Sequence, residues 1–182
     1  MSVSEVDRQM RDWRDTQMTQ ANPNKLGKIL RSLDWIKGLI SPEDSVLDVG
    51  CGRGFVYEYL GHKNYKGIDL SADEIEIAVN SWPGVDFSVG DLFSIEGTWD
   101  VVLCSRVLLH VAPLEDAIRK LMDASRKRLI LIAAISTEDT VEEHWQDSRR
   151  AYFRRISRNT LDSFGKNLVH DIGAYSVVVY DR

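Results

Sequence analysis

Cysteine is scarce in this chain, and its two occurrences, Cys51 and Cys104, are too few for a disulfide framework or a cysteine-bound zinc. Long apolar runs are missing as well. The strongest, Leu129 to Ile135, is far too short to span a bilayer, so no membrane partner is expected. The first residues are charged and polar, without the apolar core of a signal peptide, which leads us to expect a cytoplasmic protein. There is no basic excess either. A net charge of −5 weighs against a dedicated nucleic-acid binder, since neutralising phosphates needs clustered Lys and Arg. Internal repeats and low-complexity tracts are absent. What remains is 182 residues, 43% apolar and 28% charged, which reads as one soluble domain over 1–182 with a sizeable core.

The most informative stretch is Val46-Leu47-Asp48-Val49-Gly50-Cys51-Gly52-Arg53-Gly54. An apolar run ending in Gly-x-Gly-x-Gly reads as a strand that turns sharply into a helix. Glycine accepts positive φ at low cost and lets a ligand approach the backbone. The dinucleotide fingerprint places its third glycine three residues after the second. Here Gly54 follows Gly52 by two, which points to a different nucleoside ligand. No Gly-Lys-Ser/Thr follows, which argues against a triphosphate.

Around this stretch the periodicity predicts alternating elements. Val6, Met10, Trp13 and Gln17 mark a mostly polar helix over 4–20, and Leu26, Ile29, Leu30, Leu33, Ile36 and Ile40 a second over 25–40. Strands are expected at 45–49, 65–68, 85–89, 99–104 and 129–135, the last apolar on both faces as a central parallel strand requires. Helices are expected at 53–60, at 71–80 with Ser71 and Glu74 as a capping box, and after Pro113. The charged segment 138–155 reads as helical, 159–164 as a short helix, and 168–172 and 175–180 as two closing strands. The β-α-β alternation implies an α/β fold with a mainly parallel sheet covered on both faces.

Three acids fall at the carboxyl ends of three successive strands: Asp48, Asp69 and Asp91. Ligands of open α/β sheets sit at that edge, and an acid about 20 residues past the glycine loop accepts from ribose hydroxyls. Asp69 lies 19 residues after Gly50. Asp91 is placed to accept from an exocyclic amine, so the ligand implied carries a ribose and an adenine.

With these motifs in order, the chain resembles the class I S-adenosylmethionine-dependent methyltransferases, on Asp48 to Gly54, Gly67-Ile68-Asp69, Gly90-Asp91-Leu92 and Trp99-Asp100-Val101-Val102. The resemblance covers roughly 25–135. It implies a three-layer, Rossmann-like, seven-stranded sheet with one antiparallel strand near the C-terminus, N-terminal helices as a lid (1–40), a cofactor-binding core (41–135) and a variable Arg-rich segment with closing strands (136–182). It also implies S-adenosyl-L-methionine as cofactor. Gly50, Cys51, Gly52 and Gly54 would approach its methionine part with Asp48 in support, and Ser105 and Arg106 would line that end. Asp69 would bind ribose, with Leu70 beside it, while Asp91 and the Leu92 amide would recognise adenine. The chain departs from small-molecule members at Ser125-Arg126-Lys127-Arg128, where they often carry Lys-Pro-Gly-Gly. The Asn-Pro-Pro-Tyr signature of base-amine methylation is replaced by Cys104-Ser105-Arg106-Val107, and the carboxylate set of metal-dependent members is not recognisable, so no metal is expected.

Each feature also has a plainer reading. The glycines can serve a tight turn alone, Asp48 can cap the following helix, and both cysteines read as small buried residues. His110 stands either as a general base near the reaction centre or as a histidine bonded to backbone at a helix edge. Arg149, Arg150, Arg154, Arg155 and Arg158 read first as a solvated stripe paired with Glu142, Glu143 and Asp147, with Arg150, Arg154 and Arg158 on one helix face. The sharper reading has Arg154 and Arg155 gripping an anionic acceptor. Trp13, Arg14 and Met18 are candidate lid contacts; Trp13, Met18 and His144 complete the candidate acceptor residues, with His144 read otherwise as part of an exposed helix face. The expected function is methyl transfer to an oxygen or nitrogen of a small molecule. An RNA- or protein-directed enzyme and a non-catalytic cofactor-binding subunit are the alternatives.

Overall fold

The computed structural model describes residues 33–146 and 149–182, with backbone alone over 143–146 and 149–152. The elements run β1 (Val46–Val49), α1 (Phe55–Leu60), β2 (Tyr65–Asp69), α2 (Ala72–Ser81), β3 (Asp86–Val89), a 3-10 turn (Leu92–Ser94), β4 (Trp99–Ser105), α3 (Leu114–Ala124), β5 (Ser125–Ala133), β6 (Ile135–Ser136), β7 (Thr140–Gln146), β8 (Arg149–Ser157), α4 (Arg158–Asp162), β9 (Leu168–Asp171) and β10 (Ser176–Asp181). Seven strands form one sheet in the order β3-β2-β1-β4-β5-β10-β9. Only β10 runs against its neighbours. The expected six-parallel, one-antiparallel sheet is therefore present, and the order reverses between β1 and β4, which opens a crevice at the carboxyl edge there.

Alternation along the strands builds two cores. Leu47, Val49, Val102, Cys104, Leu129, Leu131 and Val178 face α3 on one side. Val46, Val101, Leu103, Ile130, Ile132 and Val177 face α1, α2 and the buried pair Leu33 and Ile36 on the other. Helix α3 presents Leu114, Ala117, Ile118, Leu121 and Ala124 to the sheet, the apolar stripe of a helix of period 3.6. Fully burying each of its larger side chains contributes about 1.5–3 kcal/mol.

Three local expectations are corrected. Strand β5 starts at Ser125, well before Leu129, because its first residues pair with β4 and with the end of β10. The capping box at α2 is only half made: Ser71 Oγ accepts from Glu74 N at 3.1 Å, but the Glu74 carboxylate turns to Arg53. Most consequentially, the charged segment after β5 is a β-hairpin and not a helix. Thr140 pairs with Arg155 and Gln146 with Arg149, and β8 also pairs with β6 in a second, three-stranded sheet. The β-formers Thr140, Val141, Trp145, Tyr152, Phe153 and Ile156, and the burial of Ile156, outweigh the charge pattern that favoured a helix. Trp13, Arg14 and Met18, and the helix expected over 4–20, lie outside the described residues. Of the helix expected over 25–40, residues 33–37 are helical.

The Ser125–Arg128 segment takes part in a charged network at the amino edge of the sheet, opposite the glycine loop. Asp100 Oδ2 accepts from Ser45 N at 2.9 Å and lies 3.2 Å from Arg126, while Lys127 reaches Asp100 Oδ1 at 3.3 Å and Asp44 Oδ1 at 2.7 Å. The Ser45 N–H, aided by Arg126 and Lys127, holds the Asp100 carboxyl well below the ordinary range. Burial pushes Asp44 up, but Lys127 and the Ser41 N–H outweigh it and leave it lowered. Groups with depressed folded-state values stabilise above about pH 4 and lose that contribution as pH falls through the folded value. Thermal unfolding should accordingly show Asp100→Asn melting below the wild type at neutral pH, with the gap closing below about pH 4. A gap that persists unchanged in acid would refute a charge-based role.

Candidate functional site

The loop after β1 is built from main-chain bonds that only glycine geometry allows. Gly50, Gly52 and Gly54 all have positive φ, at 76°, 51° and 82°. Gly50 N and Cys51 N both donate to Ile68 O, at 2.8 and 3.0 Å, so the turn wraps the end of β2. Space excludes larger residues as firmly as φ does. A Cβ on Gly50 would stand 2.0 Å from Val107 Cγ2, and one on Gly54 2.9 Å from Phe87 Cζ. Cys51 is 5% exposed, and burial pushes its thiol well above the usual range, as it does for Cys104, so neither is a nucleophile.

Asp69 is the clasp of this turn. Its Oδ2 accepts from Gly52 N and its Oδ1 from Ser71 N, each at 2.9 Å. A carboxylate has about four acceptor positions, so both oxygens keep capacity for a ligand hydroxyl. Arg53 adds a second tie, reaching Glu74 through Nε at 2.9 Å and Nη2 at 3.2 Å. Nothing in the spacing of the sequence announced that pair, beyond opposite charges flanking the first βαβ unit.

Asp48 lies under the loop with 0% exposure. Its Oδ2 accepts from Tyr65 Oη at 2.5 Å. Among the described residues its Oδ1 has no hydrogen-bond partner. It does not cap α1, whose N-cap is Gly54 without a side-chain bond. Burial pushes its pKa up to about 7, opposed by the Tyr65 hydroxyl and reinforced by Asp69. Tyr65 was not legible as part of the site. It stands opposite Val46 in the β1–β2 register, and its ring reaches along that face to Asp48.

The other strand ends complete the edge. Asp91 Oδ1 accepts from Phe93 N at 3.0 Å and caps the 3-10 turn. The Leu92 side chain is buried, which leaves its main chain as the group available to a ligand. Leu70, Val89 and Phe93 are apolar yet exposed at 37%, 56% and 40%. Val89 and Phe93 went unnoticed in the sequence because scattered exposed apolar residues carry no periodic signal. Beyond Ser105, Arg106 takes φ 63°, which no other non-glycine among the described residues does. Its N–H bonds Ile132 O at 2.8 Å, holding an uncommon conformation at the mouth of the crevice.

The loop from Val107 to Pro113 faces the hairpin. His110 N donates to Val107 O at 3.0 Å. Its ring meets Phe153 edge-on, centroids 6.5 Å apart, and its Nε2 is buried. Arg154 N bonds Leu109 O at 3.0 Å. An open cleft of about 520 Å³ lies here, bordered by Pro113, Leu114, Asp139, Arg154 and Thr160. The expected single arginine face does not exist, since Arg150 and Arg154 are in β8 and Arg158 in α4. His144 lies in β7, its side chain outside the described residues.

The buried acid yields a stability test. Its folded-state pKa is raised, so between about pH 4 and 7 the unfolded chain ionises first and the native state holds more protons. Stability must fall over that window and level off above it. Asp48→Asn removes the penalty, which is on the order of 4 kcal/mol at pH 8. Denaturant titration of both proteins should find them diverging as pH rises. Parallel curves would rule out a raised Asp48.

A family model described as a methyltransferase domain matches residues 4–173. The mitochondrial ubiquinone biosynthesis O-methyltransferase of Saccharomyces cerevisiae is 36% identical over 81 residues, covering 38% of this chain and 26% of that protein. A ribosomal protein L11 methyltransferase of Thermotoga neapolitana is 33% identical over 126 residues, covering 63% and 47%. The matches span 26% to 55% of the length of the first three curated relatives. Among solved structures, magnesium protoporphyrin IX methyltransferase from Synechocystis PCC 6803 with bound SAH superposes with a TM-score of 0.68 at 17% identity, covering 90% of this chain and 88% of that one. A protein of Pyrococcus horikoshii OT3 gives 0.69 at 19%, covering 88% and 92%. At these identities the structural likeness establishes the fold, and the family match, over nearly the whole chain, establishes that this protein belongs to the methyltransferase-domain family with the class I sheet.

Proposed function

We infer that the chain binds S-adenosyl-L-methionine at the carboxyl edge of β1, β2 and β3 and transfers its methyl group to an oxygen or nitrogen of a small molecule. One observation carries the cofactor reading: a left-handed glycine turn above a fully buried carboxylate whose Oδ1 has no hydrogen-bond partner among the described residues. A buried carboxylate with one oxygen lacking a hydrogen-bond partner favours a cation or proton nearby, and the methionine part of the cofactor is cationic. The residues fit the rest of the ligand as well. Asp69 keeps lone pairs for ribose hydroxyls, Asp91 and the Leu92 main chain suit an adenine edge, and exposed Leu70 and Phe93 offer it apolar surface. Ser105 and Arg106 stand at the methionine end.

When bound, the cofactor supplies a methyl group made electrophilic by its sulfonium. The protein's own part is to align the acceptor opposite sulfur and exclude water. His110, on the loop after β4, is the group we assign to take the acceptor's proton, with Phe153 against its ring. The relative acting in ubiquinone biosynthesis supports a small acceptor. The L11 relative favours a second reading, methylation of a protein.

Two measurements test this. Calorimetric titration with S-adenosylhomocysteine should show one site per chain, weakened about tenfold or more in Asp69→Ala, where charge-supported bonds to the ribose are lost. No heat of binding would sink the cofactor reading. Turnover with labelled cofactor and a metabolite pool should release S-adenosylhomocysteine and a product heavier by one methylene; His110→Ala should lower kcat by about 10²–10⁴ and remove the acid-side limb of the rate profile. A fully active variant would strike His110 from the mechanism.

A further inference from the structure

The arginines whose side chains are described are not equivalent. Arg155 Nε lies 3.4 Å from Glu142 Oε1, and its guanidinium stands over the Phe153 ring at 5.3 Å. Arg158 Nε lies 2.8 Å from Asp162 Oδ1, one helical turn on. Arg154 is half-buried, and among the described residues its guanidinium enters no ion pair and no side-chain hydrogen bond. Its position is nevertheless set, because its own N–H is bonded to Leu109 O, one residue before His110. Arg154 lines the 520 Å³ cleft together with Pro113 and Leu114.

The charges around it decide what it can hold. Asp139 also lines the cleft and interacts electrostatically with Arg154, but its Oδ1 accepts from Ser157 N at 2.6 Å and its Oδ2 from Thr160 Oγ1. Glu115 and Asp116, in the first turn of α3, also border the cleft but are exposed, so water and salt screen them. A half-buried guanidinium with its fork unfilled is matched best by a planar carboxylate, which it can bind through two parallel bonds.

We propose that Arg154 is the specificity residue for the methyl acceptor, and that this acceptor carries a carboxylate held in the cleft between β8 and the start of α3. Arg155 and Arg158 are excluded from that role, since each already has a carboxylate. The proposal rests on the methyltransferase reading for the word acceptor, but the anion site itself stands on the geometry of this chain.

The test uses the whole chain and three small probes of one shape: benzoate, benzamide and benzylamine. Nitrogen-15 NMR follows the Arg Nε–Hε signals. Benzoate should shift the Arg154 signal saturably. Arg154→Gln should weaken benzoate about tenfold or more, the cost of a charge-assisted bidentate contact, and Arg155→Gln should change it less than about threefold on the same reasoning. Benzamide binding as well as benzoate, benzylamine binding more tightly through Glu115 and Asp116, no saturable shift, or an indifferent Arg154→Gln would each overturn the proposal. Titrating S-adenosylhomocysteine into the same samples keeps the two readings apart. Intact cofactor affinity in Arg154→Gln shows that the variant is folded. Cofactor binding without benzoate binding sinks the carboxylate site and leaves the methyltransferase reading standing.

Discussion

The hydrogen bond from Gly52 N to Asp69 Oδ2, together with the two bonds from Gly50 N and Cys51 N to Ile68 O, holds the site in one shape. Through them the turn after β1 is closed against the end of β2. That closure exists only because β1 and β2 are parallel neighbours joined by α1, which places both strand ends on the same edge. The salt bridge from Arg53 to Glu74 extends the same closure to α2. Left-handed backbone is accepted at three alternate positions because these bonds, and the absence of Cβ atoms against Val107 and Phe87, compensate for it.

Beneath that turn the fold accepts a local cost. A fully buried aspartate with one oxygen bonded to Tyr65 and the other unpartnered among the described residues destabilises the protein at neutral pH. Local rules broken in this way are found most often at functional positions. The uncommon conformation of Arg106 lies on the adjacent strand end, so two unfavourable features flank one crevice between β1 and β4.

The hairpin of β7 and β8 makes the two halves of the site differ. The β1–β3 side presents main chain, carboxylates and the exposed apolar Leu70, Val89 and Phe93, a set suited to a nucleoside. The β4 side is a loop pressed by an inserted ribbon through the Arg154–Leu109 bond and the Phe153–His110 contact. The ribbon is anchored at its base by Ile156 N on Ala134 O and by the buried Ile156 side chain. Its cross-strand pairing of Thr140 with Arg155 and Val141 with Arg154 sorts the arginines to alternate faces, so one binds Glu142 and the next enters the cleft.

The cofactor side was largely legible in the sequence. Apolar runs of period two, the three alternate glycines and the acids closing successive strands are local signals, and the sheet order and the family match agree with them. The acceptor side was not. A segment dense in Glu and Arg fits a solvated helix by charge spacing, and only non-local pairing with β6 and the burial of Ile156 make it a ribbon. The same holds for Tyr65 beneath Asp48 and for Glu74 choosing Arg53 over its own helix cap, since these partners are 17 and 21 residues apart. Sequence by itself determined which residues stand at the strand ends, because backbone period and glycine conformation act over a few residues. Tertiary structure alone decided which charges are spent on each other and which remain for a ligand, because that depends on what long-range packing brings within reach.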